Sequence, residues 1–117
     1  MEAIKKFEIA VKAIDSKKGF DIKGIKINDL SILGDYFIIA SGSSSTQVRA
    51  LADEVDEKLS EQGVEPNHIE GKSSGWILLD YGDVIIHIFT RDEREFYSLE
   101  RLWQDGEEID LTDFTEE

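Results

Sequence analysis

A chain of 117 residues that is 40% hydrophobic and has no cysteine fits one domain, is too apolar for disorder, and excludes disulfides and thiolate sites. Its net charge of −13 argues against direct nucleic-acid binding and favours either a basic partner or simple solubility. Residues 1–6 do not resemble a signal peptide, and no segment approaches the ~20 apolar residues that span a bilayer. We therefore expect a soluble, cytoplasmic protein.

The first half of the chain predicts a helix, two strands and a second helix. Apolar residues at helical spacing between residues 2 and 18 predict the first helix, which Gly19 ends. Residues 22–27 are β-rich, and the nearly continuous apolar run of residues 36–40 is typical of a strand buried on both faces. Helical spacing returns between residues 48 and 59, with a preceding serine available as N-cap and Gly63 at the end.

The second half predicts three strands and a last helix. Residues 67–70 form a short strand, and two β-runs, 76–81 and 84–90, flank the hairpin turn Gly82-Asp83. Residues 90–93 have capping-box form and open a helix that continues to residue 103. The order predicts an α/β (α+β) domain in residues 1–104, with a mixed sheet flanked by helices. Residues 105–117, with seven acidic residues and no basic one, are assigned as an acidic C-terminal tail.

The hairpin is the most informative part of the sequence. A two-residue turn pairs Tyr81 with Val84 and gives the two strands two different faces. One face is almost purely apolar and is predicted to be core: Ile77, Leu79, Tyr81, Val84, Ile86 and Ile88. The other mixes apolar, aromatic and ionisable groups: Trp76, Leu78, Asp80, Ile85, His87 and Phe89. This mixed face is composed like a protein-docking patch, although a covering helix would also explain it.

The candidate catalytic and metal sites are each incomplete. The turn at residues 42–45 precedes a helix and could hold a phosphate, but no pair of carboxylates on alternate strand positions and no P-loop lysine accompanies it. A serine N-cap is the commoner role of such a turn. His68 and His87 are the only histidines and lack zinc-ligand spacing. A Ser-His-Asp site built from residues 43–45, His87 and Asp80 has no nucleophile-elbow pattern. We therefore expect no catalytic residue, no metal and no cofactor.

Four segments together resemble the bacterial ribosomal silencing factor (Iojap-like) family. The first is residues 35–44, an Asp-Tyr-Phe strand followed by a Gly-x-Ser turn, and the second is the next helix with Val48, Ala50 and Ala52. The third comprises residues 70–71 and 76–89, which include a Trp-x-x-x-Asp-x-Gly-Asp hairpin. The fourth is residues 94–103, a helix with the pattern Tyr-x-Leu-Glu-x-Leu-Trp. The resemblance covers roughly residues 3–103. It implies a nucleotidyltransferase-like fold without the catalytic carboxylates, and therefore a protein that is not an enzyme.

The resemblance also implies a partner and a role. The partner is the large ribosomal subunit, contacted through its ribosomal protein fourteen; docking would block joining of the small subunit and repress translation when nutrients are scarce. Large-subunit assembly is the alternative role. A nucleotide-binding enzyme that uses the turn at residues 42–45, or a homodimer formed through the mixed face, are the alternatives from other classes.

We assign partner binding to six residues: Trp76, Leu78, Asp80, Tyr81, His87 and Tyr97. In this hypothesis, Trp76 is the buried anchor of the contact. Asp80 accepts a charge-assisted hydrogen bond from a lysine or arginine of the partner.

Overall fold

The computed structural model describes residues 2–26, 36–71, 75–92 and 107–111. Within these ranges the chain forms two helices and six strands. Their bounds in chain order are α1 (Ala3–Ser16), β1 (Phe20–Lys26), β2 (Tyr36–Gly42), α2 (Ser45–Glu61), β3 (His68–Glu70), β4 (Trp76–Asp80), β5 (Val84–Thr90) and β6 (Glu107–Ile109). Of the predicted last helix, only residues 91 and 92 are described and both are helical; Tyr97 lies outside the described residues.

All six strands belong to one mixed sheet with the order β3-β4-β5-β2-β1-β6. The central strands β2 and β5 are parallel, whereas every other neighbouring pair is antiparallel. Strand β2 is buried on both faces from Phe37 to Gly42, as its apolar run predicts. The predicted fold class, a single domain with a mixed sheet flanked by helices, is confirmed.

Helices α1 and α2 pack together on one face of the sheet. Their apolar stripes share a core with alternate residues of β2, β4 and β5, and at its centre Phe7, Leu51 and Ile86 are fully buried. Removing such side chains from water is the main source of stability in a domain of this size. We call this side of the sheet the helix-covered face.

The ends of α2 follow their sequence signals. Ser44 is the N-cap, and its hydroxyl oxygen accepts a hydrogen bond from the backbone N–H of Gln47 at 3.2 Å. Gly63 adopts a positive φ of 76°, and the N–H of Val64 donates to the carbonyl of Leu59 at 2.9 Å, which is the Schellman arrangement. Both predicted ends are confirmed.

The end of α1 differs in detail from its prediction. The helix stops at Ser16, and the left-handed residue is Lys18, with φ of 67°, rather than Gly19. Gly19 is needed for space: a Cβ at this position would lie 2.4 Å from Cγ2 of Ile14. Gly19 therefore lies at the predicted turn, but it is required there by close packing and not by a left-handed backbone conformation.

The acidic C-terminal segment contributes a strand that the sequence analysis did not predict. Residues Glu107–Ile109 form β6 and pair with Gly24, Ile25 and Lys26 at the far edge of the sheet. Ile109 packs against the core below it, so this part of the segment joins the sheet instead of standing apart from it. Three residues, two of them acidic, are too few to show the alternation by which strands are recognised.

Candidate functional site

The β4–β5 hairpin has the register that its turn predicts. Trp76 lies opposite Phe89, Leu78 opposite His87 and Asp80 opposite Ile85. Gly82 occupies the turn with φ of 85°, and the N–H of Tyr81 donates to the carbonyl of Val84 at 2.9 Å. The two predicted faces therefore exist, with the apolar one buried beneath α1 and α2.

The other side of the sheet, which we call the mixed face, changes in exposure from one edge to its centre. Strand β3 extends it, because His68 lies opposite Asp80 and Glu70 opposite Leu78. His68 and Glu70 are exposed, and Trp76, Leu78 and Asp80 on β4 are partly exposed. On β5 and β2 the side chains are buried, including Phe89 at 1% and Ile39 at 0% exposure. The mixed face is thus accessible at its β3–β4 edge, made of His68, Glu70, Trp76, Leu78 and Asp80; at the opposite edge Lys23 and Glu108 are also exposed.

An aromatic cluster lies behind the β3–β4 edge. The indole Nε1–H of Trp76 donates a hydrogen bond to Nδ1 of His87 at 3.1 Å. The imidazole is nearly parallel to the rings of Phe37 and Phe89, with centroid distances of 5.9 and 6.0 Å. Burial lowers the pKa of His87 to about 4, because the charged imidazolium would lose its water. His87 is therefore neutral near pH 7, with Nδ1 available as the acceptor.

Asp80 has one carboxylate oxygen in the turn and one toward the edge. Oδ1 accepts a hydrogen bond from the N–H of Gly82 at 2.8 Å, which stabilises the hairpin turn. Oδ2 lies 3.6 Å from Nδ1 of His68, whose Nε2 lies 3.8 Å from a carboxylate oxygen of Glu70. The carboxylate of Asp80 is thus held in place by the fold and still meets solvent at the edge.

The structure does not bring Tyr81 into this group. Strand alternation places it on the helix-covered face, as predicted for that face, and it is 4% exposed there. Burial raises the pKa of Tyr81 above its usual range, with smaller contributions from the negative charges of Asp56 and Glu65. Among the described residues, its hydroxyl has no hydrogen-bond partner. The structure thus corrects the assignment of Tyr81 as a docking residue.

The turn at residues 42–45 uses its polar groups inside the chain. Gln47 accepts a hydrogen bond from the N–H of Ser43, and its side-chain amide donates to the carbonyl of Lys18 at 3.1 Å. Together with the Ser44 cap, these bonds join the start of α2 to the end of α1. This arrangement matches a capped βα turn, the commoner of the two roles considered for it.

In the four described ranges, no group of three or more histidine, aspartate or glutamate side chains is placed to hold a metal ion. Neither described helix has the length and apolar character needed to span a membrane.

Sequence reasoning missed His68 and Glu70 as members of the β3–β4 edge. The available signal was their alternate spacing in a segment already predicted as a short strand. The register of that strand against β4 depends on the pairing of two separate segments, and a three-residue strand does not fix that register by its own pattern.

The family model described as "Ribosomal silencing factor during starvation" matches residues 1–117. Two relatives named "Ribosomal silencing factor RsfS" are similar over 105 residues. The one from Halalkalibacterium halodurans is 39% identical and covers 89% of this chain and 90% of the relative; the one from Bacillus subtilis is 40% identical and covers 89% of each. A crystal structure of a Chromobacterium violaceum protein matches with a TM-score of 0.85 at 38% identity, over 88% of this chain and 87% of that one.

A more distant relative carries a different name. The mouse protein "Mitochondrial assembly of ribosomal large subunit protein 1" is 30% identical over 104 residues, which are 84% of this chain. The match covers 46% of the mouse protein, so this chain corresponds to less than half of it.

Proposed function

The chain belongs to the ribosomal silencing factor family, and from this premise we propose that it docks on the large ribosomal subunit through ribosomal protein fourteen of that subunit. The docked protein blocks joining of the small subunit and represses translation under nutrient limitation. It performs no covalent chemistry, and it acts in the cytoplasm, where the free subunits are.

The observation that carries this proposal is the composition of the β3–β4 edge. Trp76 and Leu78 remain partly exposed there, although the neighbouring side chains on β5 and β2 are buried. Tryptophan is enriched among the few residues that supply most of the binding energy in protein interfaces. A partly exposed Trp-Leu pair on a sheet edge, framed by ionisable groups, has the apolar centre and polar rim of a docking surface.

Charge specifies the kind of partner. Asp80 and Glu70 lie at the rim of the Trp-Leu pair, and the whole chain carries a net charge of −13. Such a surface attracts a basic protein and repels the phosphates of ribosomal RNA. The Oδ2 atom of Asp80 is the acceptor proposed for a lysine or arginine of the partner, since Oδ1 already accepts the N–H of Gly82.

These observations support the following proposed docking set. Trp76, Leu78 and Asp80 make direct contact, and His68 and Glu70 join them as rim residues. His87 belongs to the site but is buried behind Trp76, and Tyr81 is left out. Tyr97 remains a prediction, because it lies outside the described residues.

The test is co-sedimentation of purified variants with isolated large subunits. Trp76→Ala is expected to weaken binding by about 2 kcal/mol or more, roughly thirty-fold, because it removes the anchor. Asp80→Asn keeps an oxygen for the turn but removes the charge, so a several-fold loss is expected. Asp53→Asn makes the same charge change on the exposed side of α2 and serves as the matched control. Binding by a folded Trp76→Ala, Asp80→Asn double variant at wild-type strength would contradict this docking surface.

Large-subunit assembly is the second candidate, and the name of the mouse relative favours it. Both roles use the same docking event. Depletion of the protein separates the two roles. Loss of an assembly factor leaves incomplete large subunits in growing cells. Loss of a silencing factor leaves complete subunits that stay joined during starvation.

Two simpler measurements test the other two alternatives, a nucleotide-binding enzyme and a homodimer. A nucleotide-binding enzyme would show a higher melting midpoint with nucleotides and divalent metals, because ligands that bind only the folded state stabilise it; we expect no shift. Self-association through the mixed face would appear as a dimer mass that falls on dilution, and Trp76→Ala would abolish it.

A further inference from the structure

Trp76 is partly exposed and is also the proposed anchor, so its orientation needs a restraint from another residue. Its indole is partly exposed at the β3–β4 edge, yet an anchor binds best when it is already held in its bound orientation. A side chain at a sheet edge with several rotamers would lose that freedom on docking. The structure supplies a restraint in the hydrogen bond from its Nε1–H to Nδ1 of His87, 3.1 Å long.

His87 is well suited to act as a fixed acceptor. It is 8% exposed on the central strand β5, so a docking partner has little access to it. Its imidazole plane is set by Phe37 and Phe89, at interplanar angles of 6° and 13°. The same Phe89 ring lies 5.0 Å from the indole of Trp76, at an angle of 27°. The hydrogen bond therefore runs from a partly exposed residue of β4 to an acceptor that its neighbours hold in place.

We propose that His87 is a positioning residue for docking: its Nδ1 holds the indole of Trp76 in the orientation that the partner meets, and its imidazole does not touch the partner. This inference rests on the proposed function and deepens it. It assigns His87 a role different from direct contact. It also assigns the indole N–H to an internal bond, so that the partner gains its affinity from the ring of Trp76 and not from a hydrogen bond to its nitrogen.

Two variants of His87 distinguish a positioning role from a purely structural one, because the two roles predict different orders of their docking defects. His87→Phe keeps a flat ring between Phe37 and Phe89 but removes the acceptor. His87→Asn removes the ring but keeps an acceptor, since the Oδ1 of asparagine lies close to where Nδ1 of histidine lies on the same Cβ. If packing alone matters, His87→Phe is the milder change in every assay. If positioning matters, His87→Phe is the milder change for stability and the more severe one for docking.

The experiment measures large-subunit binding and Trp76 orientation in the full-length wild type and both variants. Binding is measured by co-sedimentation well below the lowest melting midpoint, so that all proteins are folded. The indole N–H of Trp76 is followed in protein labelled with ¹⁵N at tryptophan and assigned by its absence in Trp76→Phe. We expect His87→Phe to weaken binding by about five-fold, the size of one lost hydrogen bond, and to speed exchange of that N–H with solvent. We expect His87→Asn to bind within about two-fold of wild type.

A Trp76→Phe background provides the control for direct contact. Phenylalanine has no N–H to donate, so adding His87→Phe to this variant should cause no further loss of binding if His87 acts through Trp76. A further five-fold loss in this background would overturn the inference, as would wild-type binding by His87→Phe or a stronger defect in His87→Asn. Failure of the wild type itself to bind large subunits would instead overturn the proposed function, and the inference with it.

Discussion

The two faces of one hairpin differ in how they are buried. On the helix-covered face, Ile77, Leu79, Ile86 and Ile88 are all at 0% exposure because α1 and α2 lie directly over them. On the mixed face, exposure rises from the buried centre to His68 and Glu70 on the edge strand. The same two strands therefore serve stability on one side and present accessible groups on the other.

This difference indicates where to look for function in a small sheet protein. Complete burial leaves a side chain no freedom to meet a partner, and complete exposure leaves an apolar side chain no packing to hold it. Trp76 and Leu78 lie between these limits, one strand in from the edge, where buried neighbours support them from one side.

Neighbouring leucines of β4 provide the largest contrast. Leu79→Ala is expected to lower the free energy of unfolding by about 2–5 kcal/mol, because it leaves a cavity beneath the helices. Leu78→Ala removes a partly exposed side chain and should cost less than about half as much. Urea unfolding of the two variants measures the difference. Large-subunit binding by the folded proteins should show the reverse order, and a stronger binding defect in Leu79→Ala would contradict the division between the faces.

His87 makes the stability of the protein depend on pH in the acid range. The pKa of His87 is lowered to about 4 in the folded protein, whereas histidine in an unfolded chain titrates near 6.5. Between these values the unfolded chain binds more protons. The free energy of unfolding therefore falls as the pH decreases from about 6.5 to about 4, by up to about 3 kcal/mol.

Urea unfolding at roughly pH 7.5 and 4.5 isolates this contribution when wild type is compared with His87→Phe. Carboxylates titrate in both proteins, so only the difference between their pH dependences belongs to His87. Equal loss of stability on acidification in the two proteins would show that the imidazole is not held neutral.

The smallest expected difference between the two faces concerns the two aspartates of the hairpin, Asp80 and Asp83. Asp83 Oδ1 binds Nζ of Lys6 on α1 at 2.9 Å, whereas Asp80 meets solvent at the β3–β4 edge. Lys6→Met keeps the apolar stem and should lower the free energy of unfolding by about 1 kcal/mol, with docking unchanged. Asp80→Asn should do the opposite, weakening docking with little effect on stability. Thermal unfolding and co-sedimentation of both variants would check this pairing.

The parts of the fold predicted correctly from sequence depend on local rules. The hairpin register follows from a two-residue turn and strict alternation, and the ends of α2 follow from Ser44 and Gly63. Strand β6 was missed because a three-residue edge strand is determined by its pairing with β1 and not by its own pattern. Lys18 occupies a left-handed position that glycine usually fills. The glycine lies one residue later, at Gly19, because a Cβ there would collide with Ile14.

Sequence predicted which residues share the mixed face, but not how deeply each of them is buried there. Trp76, Leu78, Asp80 and His87 do lie on one face, as alternation requires. The gradient of burial across that face depends on strand order and on packing between distant segments, which no single segment encodes. Tyr81 is the exception: alternation already placed it on the face predicted to be core, and its 4% exposure agrees with that placement and not with its assignment to docking. The Trp76–His87 hydrogen bond needs both the register and the rotamers, so sequence could place the two residues near each other but not assign the bond.

In the proposed function, the β3–β4 edge docks this protein on the large subunit and thereby prevents subunit joining. The most direct test adds increasing amounts of the protein to large and small subunits under joining conditions and separates free from joined particles on a sucrose gradient. We predict that joined ribosomes decrease as the wild type is added, that the protein migrates with free large subunits, and that Trp76→Ala loses both effects while Asp53→Asn retains them. Undiminished joining at saturating wild-type protein, or equal inhibition by folded Trp76→Ala, would contradict it.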